Sequence, residues 1–153
     1  MKVHAIAQIW MLSGCLLSQS AFAASELATA RVSILPALTV SQQTEIDFGF
    51  LNNANGTCSM AANGQLSGST GLDCNGVASP GIFSVSGLAG ASVILTTSQA
   101  TLPGITFDPA IAGGNTRLLV DGSTEITVIG TLTLDNTNEG DKDLSYTLTA
   151  NYE

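Results

Sequence analysis

The sequence is poor in charged residues, and poorest in positive charge. Only 10% of its 153 residues are charged, and four Lys or Arg residues stand against twelve Asp or Glu. Soluble proteins usually carry about 25% charged residues. The net charge of −8 argues against nucleic acid and anionic membranes as partners, because both are bound through basic patches. Hydrophobic residues make up an ordinary 44%, so a packed core is still expected.

The first 23 residues have the pattern of a secretory signal peptide. Lys2 supplies a weak positive charge, and residues 5–17 form a mostly apolar stretch. This stretch is shorter than the roughly 20 residues that a membrane-spanning helix needs. Residues 21–23 (Ala-Phe-Ala) place small side chains where signal peptidase requires them. We therefore expect export through the inner membrane, with cleavage between Ala23 and Ala24.

A lipoprotein pathway is the alternative for this segment. Leu12-Ser13-Gly14-Cys15 matches the bacterial lipobox, in which the cysteine becomes lipidated at a new N-terminus. The apolar run before Cys15 is brief and is interrupted by Gln8, which favours cleavage at Ala23. Both routes lead through the periplasm. The first ends at the cell surface or in the medium, and the second ends at a membrane anchor on Cys15.

Removal of the signal peptide would leave little for catalysis. Taking 23 residues from 153 leaves 130, and both the only histidine (His4) and the only tryptophan (Trp10) are lost. Without histidine, Ser-His-Asp and Cys-His nucleophile systems cannot form, and no Gly-Lys-Ser/Thr phosphate loop occurs. Twelve acids against three bases give a net charge of −9. Most of these acids fall in predicted turns, where surface charge is expected, so we expect no enzymatic activity and no cofactor.

Two cysteines remain beyond the signal peptide, Cys58 and Cys74. An even pair in an exported chain predicts one disulfide, because the compartment is oxidising. Closing a loop of about 15 residues stabilises a fold by roughly 3 kcal/mol on the chain-entropy model. A zinc site is not expected, since zinc normally takes four ligands and no histidine is left to complete the set.

Two other motifs are interpreted as turns. In the acidic run 135–143, Gly140 could be the sixth position of a calcium loop, but Tyr146 would then stand where a bidentate Glu is required. A solvated hairpin turn is the better interpretation, and no metal site is predicted. Asn55-Gly56-Thr57 fits a glycosylation sequon, but Asn-Gly is also a strong turn signal.

The rest of the chain has the two-residue period of β-strands. Apolar and polar residues alternate in short runs bounded by Gly, Pro and Asn, and no helical period persists. Eight or nine short strands at this spacing predict an all-β antiparallel sandwich or barrel. The polar stretch 58–80 is expected to form short strands or loops held by the disulfide. The predicted strand runs are 28–34, 38–40, 46–50, 82–85, 93–97, 105–107, 117–120, 125–134 and 144–152.

The C-terminal residues carry the most specific signal. Gly140 is fourteenth from the end and Tyr152 is penultimate. Apolar residues alternate between them: Leu144, Tyr146, Leu148 and Ala150. This pattern resembles the C-terminal signature of subunits of chaperone–usher pili.

The resemblance implies a fold and a function. The chain would be an immunoglobulin-like antiparallel β-sandwich, incomplete by one strand and completed by donor-strand exchange. Residues 35–153 would form the sandwich, whose C-terminal strand (140–152) borders the gap and pairs first with a periplasmic chaperone. An outer-membrane usher would be the other assembly partner. Residues 24–34 would be the extension donated to the next pilus subunit, through Ala28, Ala30, Val32 and Ile34. The expected role is structural, in a fimbria-like fibre used in cell adhesion.

The chain is also similar to a family of uncharacterised bacterial secreted β-proteins. The shared motifs are Phe48-Gly49, Gly-x-Phe-x-Val at 81–85 and Gly-Thr-Leu-x-Leu at 130–134. An alternative therefore stands beside the pilus subunit: a self-complete secreted or lipid-anchored β-sandwich that binds a protein or carbohydrate at the cell surface. In that case the N-terminal strand would pair within its own sheet.

Overall fold

The computed structural model describes residues 25–153, so the signal peptide, Cys15 and the cleavage site at Ala23 and Ala24 lie outside the described residues. Residues 34–153 form one compact unit, and residues 25–33 belong to a separate one. In the described part of the chain the regular structure is ten β-strands and one short 3-10 turn, Val120–Gly122. The strands are β1 (Thr39–Thr44), β2 (Gly56–Met60), β3 (Leu66–Gly68), β4 (Gly81–Ser86), β5 (Ser92–Thr97), β6 (Ala100–Leu102), β7 (Ile105–Ile111), β8 (Thr116–Leu118), β9 (Ser123–Leu134) and β10 (Leu148–Tyr152).

The long strand β9 organises the larger, seven-stranded sheet. One edge of β9 pairs with β4 along its first half and with β2 along its second half. The other edge pairs with β7. β1, β3 and β6 then extend the sheet from β4, β2 and β7 respectively, and every pairing is antiparallel.

The smaller sheet has three strands in the order β10-β5-β8. Its β5 alternates strictly, with Val93 and Leu95 fully buried. The apolar face of β9 alternates in the same way, through Ile126, Val128, Leu132 and Leu134. Burial of alternate residues from both sheets gives an all-β antiparallel sandwich-like fold, which confirms the predicted fold class.

Several predicted runs coincide with strands and others do not. Residues 82–85, 93–97 and 125–134 lie within β4, β5 and β9, and residues 105–107 begin β7. The run 46–50 forms only an isolated bridge, between Asp47 and Ser79. Among the described residues the first strand begins at Thr39, so residues 28–34 are not in a strand.

The prediction of a hairpin turn at 135–143 was wrong. β9 and β10 flank this loop but belong to different sheets, and β10 pairs with β5. The loop therefore carries the chain from one sheet to the other. The sequence could not show this, because alternation identifies a strand without identifying its neighbour.

Tyr152 ties the end of β10 to the segment before β1. Its hydroxyl donates a hydrogen bond to the Pro36 carbonyl (2.9 Å) and accepts one from the Leu88 backbone N–H (2.8 Å). Gly87 leaves the space for this ring, since a Cβ there would collide with the Tyr152 hydroxyl. The penultimate tyrosine thus has a structural role that is independent of any partner.

We expect Tyr152→Phe to lower the free energy of unfolding by about 1 kcal/mol, because it removes two hydrogen bonds that are partly open to water. Urea unfolding followed by far-UV circular dichroism measures the change. Thr149→Ala, on the exposed face of the same strand, is the control, and about 0.5 kcal/mol or less is expected there. Equal losses in the two variants would contradict this role for Tyr152.

Candidate functional site: an open groove

A large groove runs along the unit formed by residues 34–153. Its volume is about 1470 Å³. The first wall is formed by residues 42–53 and the second wall by residues 137–146. The floor consists of core residues, namely Ile105, Phe107, Leu132 and Leu134.

Each wall adjoins an edge strand: the first wall contains the end of β1, and the second wall leads into β10. β1 pairs only with β4, and β10 pairs only with β5. β1 and β10 are in contact but do not pair with each other. Beyond β1 the first wall leaves the sheet, and the second wall belongs to no strand in the described structure. Apart from the bridge between Asp47 and Ser79, the described wall residues beyond β1 therefore have no strand partner.

Both walls present half-buried apolar side chains to the groove. Ile46, Phe48 and Leu51 come from the first wall, and Leu144 and Tyr146 from the second; all of them pack against the buried cluster that contains the floor.

Both walls contact the Phe107 ring. The Phe107 centroid lies 5.7 Å from that of Phe48 and 5.4 Å from that of Tyr146, both edge to face. At the mouth of the groove Phe50 is 92% exposed and Val77 is 94% exposed. The groove thus has buried apolar side chains at its floor and exposed apolar side chains at its mouth.

Tyr146 is the unusual residue of the second wall. Its ring packs against Phe83 at 6.2 Å, and a Cβ on Gly81 would approach the Tyr146 hydroxyl to 3.0 Å. The hydroxyl is buried and makes no hydrogen bond. Burial raises the pKa of Tyr146 to about 12, because desolvation disfavours the phenolate.

The raised pKa of Tyr146 predicts a specific loss of stability in alkali. The unfolded chain releases this proton near pH 10 and the folded chain near pH 12. Below pH 10 both states hold the proton; above it the unfolded state loses the proton first, so stability falls as the pH rises towards 12.

We expect Tyr146→Phe to remove this component of the alkaline loss. At pH 7 the variant should be at least as stable as the wild type, because a buried hydroxyl without a partner contributes nothing. Urea midpoints measured between pH 8 and pH 11 test this, with Tyr152→Phe as the control that keeps the alkaline loss. Identical pH profiles for the wild type and Tyr146→Phe would refute the assignment.

The rim of the groove is acidic. Glu45 and Asp47 lie on the first wall, and Glu139, Asp141 and Asp143 on the second; all five are exposed. Lys142 is the only cation among the residues that line the groove, and its ammonium donates to the Glu139 carbonyl (3.2 Å). An apolar floor under an acidic rim suits an apolar segment that carries positive charge on its outer side.

The residues predicted to border the gap fall in two places. Leu148, Ala150 and Tyr152 share the half-buried face of β10, as the alternation predicted. Leu144 and Tyr146 belong to the second wall, before the strand begins. Gly140 lies in the loop with φ of +105°, a conformation that favours glycine.

The predicted donor residues lie in the unit that precedes the sandwich or at its border. Ala28, Ala30, Val32 and Ile34 are all exposed, and Val32 and Ile34 are 82% and 87% exposed. The floor and the first wall were not predicted as site residues. Their signals were the alternation of 46–50 for the wall and of 105–107 and 125–134 for the floor, and each was interpreted only as a strand of the sheet.

The predicted disulfide between Cys58 and Cys74 is present. The two Cα atoms are 6.0 Å apart, and both residues are buried in the cluster that contains the floor. The sequon residue Asn55 is engaged as well: its side-chain oxygen accepts a hydrogen bond from the Asn136 N–H (2.8 Å). This contact joins the segment just after the first wall to the loop that leads to the second wall.

Residues 25–153 contain no cluster of three potential metal ligands among His, Cys, Asp and Glu, and no helix of theirs has the length and apolarity needed to cross a membrane. Neither a known protein family, nor a curated protein, nor a solved structure matches the chain.

Proposed function

We propose that this protein is a structural subunit of a bacterial surface fibre, pilus- or fimbria-like, that is assembled by donation of a β-strand from one subunit to the next. The observation that carries the proposal is the open groove, in which core residues form the floor and each wall adjoins an edge strand of a sheet, β1 or β10. Such a groove fits an extended segment: backbone hydrogen bonds supply affinity, and alternate side chains fill the apolar floor.

The N-terminal segment has the properties of a donor. Residues 25–38 are in no strand, and the apolar side chains at positions 28, 30, 32 and 34 alternate with polar ones. A self-complete sandwich would instead be expected to use this segment in its own sheet. The absence of any strand among described residues before Thr39 supports donation to another molecule.

The same groove explains why assembly partners are expected. Exposed apolar side chains at the groove, such as Phe50 and Val77, together with unpaired strand edges, favour aggregation until they are covered. A periplasmic chaperone would cover it after export by pairing with the C-terminal segment (Gly140 to Tyr152), and an outer-membrane usher would exchange the chaperone for the next subunit. In this proposal the incomplete sandwich is immunoglobulin-like and the finished fibre serves adhesion at the cell surface.

Deletion of residues 24–34 tests the proposal. We expect the chain that starts at Ala24 to form ladders on an unboiled denaturing gel that collapse on boiling, and the deletion to abolish them. The folded domain and its binding to a chaperone should remain, because the Pro36 contact of Tyr152 is retained. The control is Thr29→Ala with Ser33→Ala, on the polar face of the segment, which should leave the ladders intact.

Two results would overturn the proposal. One is a full chain that stays strictly monomeric and refolds without a chaperone. The other is a truncated chain that unfolds, because the N-terminal segment would then belong to its own sandwich. Either result would support the alternative of a self-complete surface protein that binds a protein or carbohydrate.

A further inference from the structure

The cationic side chains of the protein are not equally available to pair with the acidic rim of the groove. Beyond residue 23 there are three cations: Arg31, Arg117 and Lys142. The Arg117 guanidinium donates hydrogen bonds to the Ala112, Gly113, Gly114 and Thr116 carbonyls, which holds it to its own loop. Lys142 lies on the groove itself. Arg31 is exposed, and it lies in the proposed donor segment.

The alternation of the donor segment decides where Arg31 would point. In an extended strand, successive side chains point to opposite faces. When Ala30 and Val32 face the floor of a groove, Arg31 between them faces the mouth. Neighbouring strands are about 4.8 Å apart, so an arginine side chain at the mouth reaches either wall. The acids of the rim are exposed at that level.

We propose that Arg31 fixes the register of the donated segment, residues 24–34 of a second copy of this chain, by pairing with the acidic rim of the groove. This inference rests on the proposed function and adds the residue that sets the register.

Electrostatics favours this register for two reasons. Five carboxylates against one ammonium surround the opening, and Glu26 leaves residues 24–34 without net side-chain charge. The repulsion among the carboxylates is therefore relieved only when Arg31, and not Glu26, faces the rim. Arg31 also opposes a wrong register, because a slip by one residue would turn its guanidinium onto the apolar floor and expose Val32. The pairing lies at the rim and is open to water, so it should weaken with salt.

A peptide-binding experiment tests the inference. The full chain from Ala24 is refolded from guanidinium in the presence of a labelled peptide of residues 24–34, and binding is measured by fluorescence anisotropy. We expect Arg31→Glu in the peptide to weaken binding about tenfold at low salt, equivalent to about 1.4 kcal/mol. Arg31→Lys should bind almost as well as the wild type. The difference between Arg31→Glu and the wild type should shrink at about 1 M salt, where the Debye length is about 3 Å.

Charge reversal on the rim locates the pairing. We expect Glu45→Lys or Asp143→Lys in the protein to restore binding of the Arg31→Glu peptide, according to which wall Arg31 meets. The matched control is Glu125→Lys, an exposed acid of β9 that does not line the groove, and it should restore nothing. Restoration by Glu125→Lys as well would reduce the effect to net charge and overturn the inference.

The outcomes separate the inference from the proposed function. If Arg31→Glu binds like the wild type while Val32→Glu does not bind, strand donation stands and the role of Arg31 is overturned. If an unrelated basic peptide with no apolar alternation binds equally well, the second copy is overturned as the occupant. If no peptide of residues 24–34 binds, both the inference and the proposed function fail.

Discussion

Attachment of a second copy of residues 24–34 after Glu153, through a flexible linker, is expected to raise the free energy of unfolding by about 3–6 kcal/mol. The gain comes mainly from Val32 and Ile34, which are almost fully exposed in the chain alone. Full burial of a Val or Ile side chain contributes about 1.5–3 kcal/mol. New backbone hydrogen bonds at the free edges of the groove offset the cost of ordering the added strand.

The linker length follows from the geometry of the second wall. Tyr146 and Tyr152 are six residues apart, about 20 Å if extended. A Gly/Ser linker of ten residues has a root-mean-square span of about 17 Å, which lets the added strand reach the groove without a forced register. Thermal and guanidinium unfolding of the fused protein against the chain from Ala24 measure the gain.

The matched control carries Val32→Glu and Ile34→Glu in the added copy only. It has the same linker and length, but charged side chains cannot occupy the apolar floor without a large penalty. We expect no stabilisation and persistent self-association in this control. Equal stabilisation in both fusions would mean that the added strand does not enter the groove.

The sequence allows the strands to be predicted better than their partners. The clean alternation of 125–134 correctly predicted the core of β9, because a strand paired on both edges with one face buried leaves a two-residue period. β6 was not predicted as a strand, and β2 falls partly in residues 58–80, where short strands or loops were expected. β2 contains Gly56, Thr57 and Ser59, and its place in the sheet depends on pairing with β9 and on the disulfide at Cys58.

The walls of the groove could not be predicted from the sequence. The alternation at 46–50 and 144–146 correctly indicated apolar residues that face the core, but both segments lie outside the strands. Whether an alternating segment pairs or borders an opening depends on strands far away along the chain, here β4 and β5. A period of two residues contains no information on which edge stays free. The floor residue Phe107 was therefore interpreted only as part of a strand.

The disulfide supports the same part of the core. Cys58 in β2 is fully buried, and Cys74 is 7% exposed. Both belong to the cluster that contains the floor residues Leu132 and Leu134. A Cβ on Gly68 would clash with the Cys74 sulfur, so the small strand β3 is packed directly against the bond. The stability of the floor is thus coupled to the oxidised state of the pair.

Replacement of both cysteines with alanine is expected to lower the free energy of unfolding by about 3 kcal/mol or more. The cysteines are 16 residues apart, and closing a loop of this size restricts the unfolded chain by about 3 kcal/mol. The lost sulfur packing adds to this, because the site is buried. Guanidinium unfolding of the variant and the wild type, each with and without dithiothreitol, measures the effect; the reductant should destabilise only the wild type.

The same variant shows whether the disulfide acts locally or through the whole fold. A loss confined to the floor should raise hydrogen exchange in β2, β3 and the second half of β9, while β5 keeps its protection, since Val93 and Leu95 belong to the other buried cluster. Glu125→Lys, on the exposed face of β9, serves as the control and should leave exchange in β2 unchanged. A uniform rise in exchange across both clusters would contradict the local role, and it would mean that the sandwich unfolds as one cooperative unit once the bond is lost.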